Sequence, residues 1–289
     1  MDRMLRTRFL PIIVSLILIF FIRAESKCEP SLQVSNLYKA SDRILIAAHR
    51  GSHSQFPDNS IPAIAESIKN GIDIVEIDIR ETKDKVPVLL HDKTLTNTTQ
   101  PNYKVAELKF EELNNYPLLF KGKETTYKIP SLEEVLQYSK NKIILNLDFK
   151  LDDLKAMKRA YELVKKYDME ESVIFTVNNL DLIPSLHQIN PDIRIMPVAF
   201  SARKIRKVMK CDFIDILQLS NRSYCQYNSE KFDTKEIDIW VNSLKKYDKM
   251  QQEDGTGFEK LLRIKKVDII QTDYPEELLD FLQKQGLHD

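Results

Sequence analysis

Short apolar runs of this 289-residue chain are interrupted by residues that can do chemistry. In the segment DIVEIDIR, Glu76 and Asp78 are two positions apart, so both carboxylates share one face of a strand. In IILNLDFK, Asp148 and Lys150 have the same spacing. Two carboxylates on an inward strand face are costly unless a cation or hydrogen bonds compensate their charge.

Histidines end two other apolar runs. His49 and Arg50 follow the run ILIAA, and His91 and Asp92 follow VPVLL. Three carboxylates without thiolates favour a hard cation, Mg²⁺ or Ca²⁺. Two histidines can serve as general base and general acid, whereas an arginine and a lysine can hold phosphate oxygens. Together these groups indicate a metal-assisted displacement at phosphorus.

The fold must bring these groups together. From residue 41 onwards, apolar runs alternate with amphipathic stretches, which predicts a parallel sheet with right-handed crossovers. About eight strands in ~250 residues indicate an α/β fold, a closed (β/α)8 barrel with its active site at the carboxyl ends of the strands. A doubly wound open sheet is the alternative, but the chain contains no GxGxxG loop. Since a single strand-end histidine is more often structural, the hypothesis depends on the whole set meeting at one rim.

One connection is too short for a helical crossover. Six residues separate the apolar runs DIVEIDI and VPVLL, so these two strands are predicted to form a hairpin in place of one crossover. A turn at Lys83-Asp84 places Glu76 opposite His91 in the predicted register.

The N-terminus is unlike the rest of the chain. Basic residues precede an apolar run, Phe9–Ile22, and the small residue Ala24 follows it. This pattern predicts a signal peptide over residues 1–24, then a linker over 25–40 and a catalytic barrel over 41–289. The alternative is an uncleaved anchor, against which the length argues, because the run is shorter than a membrane span of ~20 residues. We therefore expect a periplasmic or extracellular protein, or one anchored to the membrane by residues 9–22.

Composition excludes some partners. Basic and acidic residues each number 43, so the chain lacks the basic excess of a nucleic-acid-binding protein, and no protein partner is indicated.

No CxxC pair is present, which argues against a thiolate zinc site. In an exported protein Cys211 and Cys225 could pair and leave Cys28 single, whereas buried or unpaired thiols are the alternative.

The order of these motifs resembles that of the glycerophosphodiester phosphodiesterase family. Four family elements, His-Arg-Gly, Pro-Glu-Asn-Thr, Glu-x-Asp and His-Asp, correspond to HRG at 49–51, PDNS at 57–60, EID at 76–78 and HD at 91–92. The later segments NLDFK, DIWVNSL and DIIQTDYPEELLDFL also correspond, so the likeness spans residues 44–282.

The resemblance implies a site and a mechanism. By analogy, the metal ligands are Glu76, Asp78 and Asp148, the acid–base pair is His49 and His91, and the substrate contacts are Arg50, Lys150 and Trp240. In the family, the substrate's own glycerol hydroxyl attacks phosphorus and the alcohol leaves. Water then opens the cyclic phosphate to glycerol 3-phosphate. One divalent cation, Mg²⁺ or Ca²⁺, is the expected cofactor.

The chain departs from the family pattern at several places. Four residues differ from those common in the family: Asp58, Ser60, Asn97 and Asp148. Trp240 is followed directly by Val-Asn, without the threonine common between them. Three histidines have no family counterpart and are predicted to be structural or surface residues: His53, His187 and His288.

Three functions remain open from the sequence. The first is an exported, metal-dependent hydrolase of small glycerophosphodiesters. The second is a lysophospholipase D-type lipid hydrolase on the same barrel, with Phe56, Tyr103 and Phe120 as an apolar rim for a lysophospholipid and a membrane surface. The third is a non-catalytic envelope binding protein, against which the complete set of catalytic residue types argues.

Overall fold

The computed structural model describes residues 43–226, 237–263 and 267–289. Its strands are β1 (Leu45–His49), β2 (Ile74–Glu81), β3 (Pro87–Leu89), β4 (Leu119–Phe120), β5 (Lys123–Glu124), β6 (Ile144–Phe149), β7 (Val173–Val177), β8 (Arg194–Pro197), β9 (Ile216–Leu219), β10 (Asp238–Asn242) and β11 (Ile269–Thr272). Its α-helices are α1 (Ile61–Lys69), α2 (Thr96–Thr99), α3 (Phe110–Leu113), α4 (Leu132–Ser139), α5 (Leu154–Lys166), α6 (Ile183–Ile189), α7 (Ala202–Val208), α8 (Asn221–Gln226), α9 (Lys246–Asp254), α10 (Gly257–Leu262) and α11 (Pro275–Lys284).

Eight parallel strands form the predicted barrel. Neighbouring strands follow one another in the order β8, β7, β6, β2, β1, β11, β10 and β9. The ring closes between β8 and β9 through a parallel bridge of Val198 with Gln218, whose carbonyl oxygen also accepts a hydrogen bond from the N–H of Ala199 at 3.0 Å. The sequence prediction of a (β/α)8-type barrel is therefore confirmed.

The predicted hairpin of β2 and β3 is present, but its register differs by one residue. Arg80 pairs with Val88, and the pairing ends at Leu89 before it reaches His91. The turn contains three residues rather than two, because Lys85 adopts a left-handed φ of 67°. The predicted pairing of Glu76 with His91 is therefore wrong, since an odd-numbered turn shifts every partner along the strand.

Alternation along the strands divides the core into layers. One set of strand residues fills the barrel interior, and these are Leu45, Ala47, Ile74, Ile144, Ile174, Met196, Ile216, Trp240 and Ile269. The opposite faces pack against the surrounding helices in a larger cluster. A third cluster, which includes Val88, Leu95 and Leu118, lies in and beside the segment between β3 and α4.

The start of α1 fixes the loop that carries the first histidine motif. The Ser60 hydroxyl accepts a hydrogen bond from the N–H of Ala63 at 3.3 Å, as is typical of an N-cap serine. Gly51 has a φ of 84°, and a Cβ placed on it would lie 2.9 Å from Ala63. This loop therefore requires glycine beside α1.

Several features were not foreseen or fall outside the described residues. The short elements α2, α3, α9, α10 and the β4–β5 hairpin have no strong sequence signal.

Within the described residues, no helix is long and apolar enough to cross a membrane. Cys211 is a free cysteine, whereas Cys28 and the side chain of Cys225 lie outside the described part. The predicted segment of residues 9–22 also lies outside it.

Candidate active site

The carboxyl ends of β1, β2 and β6 bring six of the predicted residues together. His49 is the last residue of β1 and pairs in register with Glu76 of β2. Asp78 pairs in register with Asp148 of β6. Arg50 and Lys150 directly follow β1 and β6, so these side chains meet at one rim of the barrel.

Three carboxylates lie at this rim at distances suited to a metal ion. One oxygen each of Glu76, Asp78 and Asp148 lies within 4.8 Å of the others. Glu76 and Asp78 are buried, and among the described residues Asp78 Oδ1 has an ion-pair contact with Lys150 but no hydrogen bond of normal geometry. Burial, together with the charges of Asp78 and Asp148, raises the pKa of Glu76 well above its usual range. A hard divalent cation fits this donor set and would offset the concentrated negative charge.

Lys150 lies at the edge of the carboxylate group. Its Nζ is 2.8 Å from Asp78 Oδ1 and 2.5 Å from Asp148 Oδ2. Burial alone would lower the pKa of Lys150, but Asp148, Asp78 and Glu76 outweigh it and raise that pKa above its usual range. Lys150 therefore remains a cation beside the predicted metal ligands.

Arg50 connects β1 to the same carboxylates. Its Nε is 2.9 Å from Asp78 Oδ2, its Nη1 donates to Asp58 Oδ2 at 2.7 Å, and its backbone N–H donates to Glu76 Oε2 at 3.2 Å. Burial works against ionisation of Asp78, but Lys150 and Arg50 outweigh it and lower the pKa of Asp78. The predicted replacement of glutamate by Asp58 thus still provides a partner for the guanidinium group.

Two asparagines orient the carboxylates, and sequence reasoning gave neither a role. The Nδ2 of Asn59 donates to Asp78 Oδ2 at 2.7 Å, while the backbone N–H of Asp78 donates to Asn59 Oδ1 at 3.0 Å. The Nδ2 of Asn178 donates to Asp148 Oδ1 at 3.2 Å. Asn178 directly follows β7, and this position at a strand end is the signal that could have identified it.

A carboxylate that was not predicted orients His49. The Nδ1 of His49 is 2.6 Å from Asp273 Oδ1, and its Nε2 is 4.0 Å from Glu76 Oε2. Burial opposes ionisation of Asp273, but the hydrogen bond to His49 outweighs it and lowers the pKa of Asp273. Asp273 is the first residue after β11, which neighbours β1, so the rule that located the other site residues also applies to it.

His53 is a second imidazole near the same carboxylate. Its Nδ1 lies 2.9 Å from the carbonyl oxygen of Gly51, and its Nε2 lies 3.7 Å from Asp273 Oδ1. The carbonyl can only accept, so Nδ1 carries the proton of this hydrogen bond. The His53 side chain is partly buried and lies beside the site.

The second predicted histidine lies on the more open side of the rim. The side chain of His91 is 46% exposed, and its Nδ1 is 2.8 Å from Asp92 Oδ1. Asn97, one of the departures from the family pattern, donates to Asp92 Oδ2 at 2.8 Å. A 240 Å³ cavity beside this pair is lined by Arg50, Asp58, Asn59, Leu90, His91, Asp92, Asn97 and Thr98.

Trp240 does not lie with the other predicted residues. It is completely buried in the barrel interior, where its Nε1 donates to Asn242 Oδ1 and Gln271 Oε1, both at 3.1 Å. Trp240 therefore underlies the rim, and its predicted contact with substrate remains a prediction.

Comparison with known proteins identifies the family. A profile of the glycerophosphoryl diester phosphodiesterase family matches residues 49–277. The chain belongs to this family. The match begins at His49 and includes every residue of the candidate site.

Two curated members of the family illustrate the similarity. A lysophospholipase D from Homo sapiens is 29% identical over 180 residues, which cover 59% of this chain and 55% of the relative. Glycerophosphodiester phosphodiesterase 1 from Homo sapiens is 35% identical over 147 residues, which cover 49% of this chain and 43% of the relative. The chain thus spans about half the length of these relatives.

Solved structures share the barrel. A glycerophosphoryl diester phosphodiesterase from Parabacteroides distasonis superposes with a TM-score of 0.76 at 26% identity, covering 88% of this chain and 92% of the other. A phosphodiesterase from Oleispira antarctica, solved in complex with the product sn-glycerol-3-phosphate, has a TM-score of 0.69 at 21% identity, covering 83% and 97%. These matches support the family's barrel fold for the present chain.

Proposed function

We propose that the protein hydrolyses glycerophosphodiesters to glycerol 3-phosphate and an alcohol in a metal-dependent reaction. One observation carries the proposal, namely that a group of three carboxylates, two of them buried, lies at the same rim as two histidines. Each histidine is held by a carboxylate of its own, His49 by Asp273 and His91 by Asp92. On this family's barrel, such a set provides a metal site and two groups for proton transfer.

Glu76, Asp78 and Asp148 would hold one divalent cation, Mg²⁺ or Ca²⁺. When bound, the cation supplies Lewis-acid polarisation of a phosphoryl oxygen. Arg50 and Lys150 add fixed positive charge at the same rim. In our proposal they contact the phosphate oxygens and stabilise the charge that develops there.

We assign the two proton transfers of the first step from the surroundings of each histidine. Because Asp273 holds Nδ1 of His49, the neutral ring presents a lone pair at Nε2, which accepts the proton of the glycerol hydroxyl. The hydroxyl oxygen bonds to phosphorus, and the bond from phosphorus to the alcohol oxygen breaks. His91, beside the open cavity, donates a proton to the leaving alcohol.

In the second step the two roles are reversed. His91 accepts a proton from a water molecule, whose oxygen bonds to the phosphorus of the cyclic glycerol phosphate. The ring bond from phosphorus to the glycerol oxygen that attacked in the first step breaks, and His49 returns the proton to that oxygen. The products are glycerol 3-phosphate and the free alcohol, with both histidines in their starting states.

The test follows release of glycerol 3-phosphate from glycerophosphocholine by the purified full chain. The assay is run with Mg²⁺, with Ca²⁺ and with a chelator, beside the His49→Ala variant. We expect metal-dependent release that the substitution reduces to background. Release that persists in the variant or in the chelator would contradict the proposal.

A lysophospholipid substrate is the second candidate. The ring centroids of Phe56 and Tyr127 are 6.2 Å apart, those of Tyr103 and Tyr116 are 5.8 Å apart, and Tyr103 is 49% exposed. These aromatic groups belong to, or pack against, the segment that follows β3. A faster reaction with lysophosphatidylcholine than with glycerophosphocholine would favour the lipid. If a soluble short-chain analogue of lysophosphatidylcholine reacts as fast as lysophosphatidylcholine itself, an apolar contact with the acyl chain is excluded.

We also propose that the protein is exported, to the periplasm or the extracellular space, or anchored by residues 9–22. The basic start and the apolar run Phe9–Ile22 support this proposal. N-terminal sequencing of the protein recovered from each cell fraction tests it. A mature chain that begins near residue 25 supports cleavage, whereas an intact N-terminus in the membrane fraction supports anchoring.

A further inference from the structure

A second buried carboxylate lies directly behind the pair formed by His49 and Asp273. Asp248 lies in the first turn of α9, between β10 and β11, and is 3% exposed. Its Oδ2 accepts a hydrogen bond from the backbone N–H of Asp273 at 2.9 Å. The residue that orients His49 is thus itself held by a carboxylate.

Two hydroxyl groups complete the surroundings of Asp248. The Oγ of Ser243 donates to Asp248 Oδ1 at 2.5 Å, and the Oγ1 of Thr272 donates to the same oxygen at 2.8 Å. Both hydroxyl residues are completely buried. Across the described ranges, no lysine, arginine or histidine forms an ion pair with Asp248. Among the residues that the structure describes, hydrogen bonds alone therefore compensate its charge.

This arrangement is costly, which suggests a role beyond packing. Burial raises the pKa of Asp248 above its usual range, although its three hydrogen bonds oppose the shift. A neutral side chain would join α9 to β11 without the desolvation of a charge. The carboxylate instead makes charge-assisted hydrogen bonds to Thr272 and Asp273, which are shorter and stronger than neutral ones.

The contacts of Asp248 fix the backbone where Asp273 leaves the sheet. Thr272 ends β11, and Asp273 is the next residue, so both groups held by Asp248 flank one peptide bond. The Asp273 carboxylate depends on that backbone for its direction toward His49 Nδ1, 2.6 Å away. A small rotation at this junction would lengthen the short hydrogen bond and turn the imidazole.

We propose that Asp248 is a positioning residue for His49, acting through the backbone and carboxylate of Asp273. The inference rests on the proposed function, because it assigns proton transfer to His49. It adds a residue from the segment between β10 and β11 that does not reach the rim itself.

A double-mutant cycle separates this role from a general effect on the fold. We expect Asp248→Ala to lower kcat on glycerophosphocholine roughly tenfold, with KM changed by less than about threefold. In the Asp273→Asn background the same substitution should leave kcat unchanged, because the connection to His49 is already broken. Equal reductions in both backgrounds would overturn the proposal.

Two variants provide controls in the same buried network. Ser243→Ala removes one hydrogen bond to Asp248 but leaves the contact with Asp273, so it should reduce thermal stability and retain kcat. Asp248→Asn keeps an oxygen that can accept from the Asp273 N–H but removes the charge, so it should restore only part of the kcat lost in the alanine variant. If Asp248→Ala does not fold, Asp248→Ser enters the cycle in its place.

A spectroscopic readout keeps the inference separate from the proposed function. The proton on His49 Nδ1 should give a far-downfield NMR resonance, assigned by its absence in His49→Ala, and Asp248→Ala should shift or abolish it. An unchanged resonance would overturn the inference. If the wild-type chain shows no turnover, the proposed function fails, and this resonance alone decides whether Asp248 positions His49.

Discussion

A histidine–aspartate pair is found at each end of the barrel, and the two pairs differ in what surrounds them. At the carboxyl end, His49 Nδ1 is 2.6 Å from Asp273, whereas its Nε2 is 4.0 Å from the nearest carboxylate oxygen of Glu76. At the amino end, His288 Nε2 is 3.0 Å from Asp73, and its Nδ1 is 3.1 Å from the carbonyl oxygen of Asp289. One imidazole has a nitrogen left for proton transfer, and the other has both nitrogens engaged.

The carboxylates of the two pairs also differ. Asp73 accepts hydrogen bonds from Arg43 at 2.7 Å and from the backbone N–H of Ile46 at 2.8 Å, so the pair at the amino end is fully partnered. Such a pair stabilises the fold. The pair at the carboxyl end faces a group of carboxylates with an open cavity nearby, and this setting gives the same two residue types a chemical role.

The largest expected effect is that of Asp78→Asn at the carboxyl end. The substitution preserves shape but removes the buried charge that Lys150, Arg50 and the proposed metal share. We expect loss of Mg²⁺ binding by calorimetry and a fall in turnover of about 10⁴-fold or more. Retained binding with normal stoichiometry would show that the cation is held elsewhere.

Asp273→Asn should have the next largest effect. The amide can no longer stabilise a charged imidazole, and it can hold His49 in the wrong tautomer. We expect kcat to fall roughly a hundredfold to a thousandfold with little change in melting temperature. A large loss of stability with kcat preserved would instead make this pair equivalent to the one at the amino end.

Asp92→Asn should have a smaller effect on the same reaction. His91 is 46% exposed and less constrained than His49, so the loss of its carboxylate partner costs about tenfold in kcat. Asn97→Ala removes only the bond that supports Asp92 and should cost less. Steady-state kinetics of the two variants, measured side by side, would show whether the order is reversed.

His288→Ala should leave turnover unchanged and reduce stability. The hydrogen bond to Asp73 raises the pKa of His288 above its ordinary value, although burial opposes the shift. The contribution of this hydrogen bond to the free energy of unfolding is therefore complete below the pKa of the unfolded chain, ~6.5, and is lost as pH rises through the pKa of the folded chain. Denaturation at pH 5.5 and pH 9 should show that the substitution lowers the free energy of unfolding by about 1–3 kcal/mol at the lower pH and by less at the higher pH.

The sequence allowed the barrel and the residues at its rim to be predicted, because strand alternation and strand ends determine both. The rule that located Glu76, Asp78 and His49 uses only a residue's place on its own strand. Asp273 satisfies the same rule, but a single aspartate after a strand is too common to stand out.

Features that depend on backbone conformation or on distant contacts could not be read in this way. The hairpin register depends on the left-handed φ of Lys85, which the turn sequence did not reveal. Asp248 lies in a helix without a strong pattern, and its role depends on meeting Thr272, which is 24 positions away. Trp240 is buried because it lies in the interior layer of the barrel. Strand alternation places it on the inward face but does not tell whether an inward residue fills the barrel interior or lines the substrate pocket.

The closure of the barrel has a consequence for how the molecule opens. Strands β2 and β6 pair over six residues, whereas β8 and β9 meet through the bridge of Val198 with Gln218. This seam is separated from β1, β2 and β6 by other strands on both sides. Amide hydrogen exchange should therefore be fastest along the seam. The barrel can open locally at this seam while the strands that carry the histidines and carboxylates keep their register.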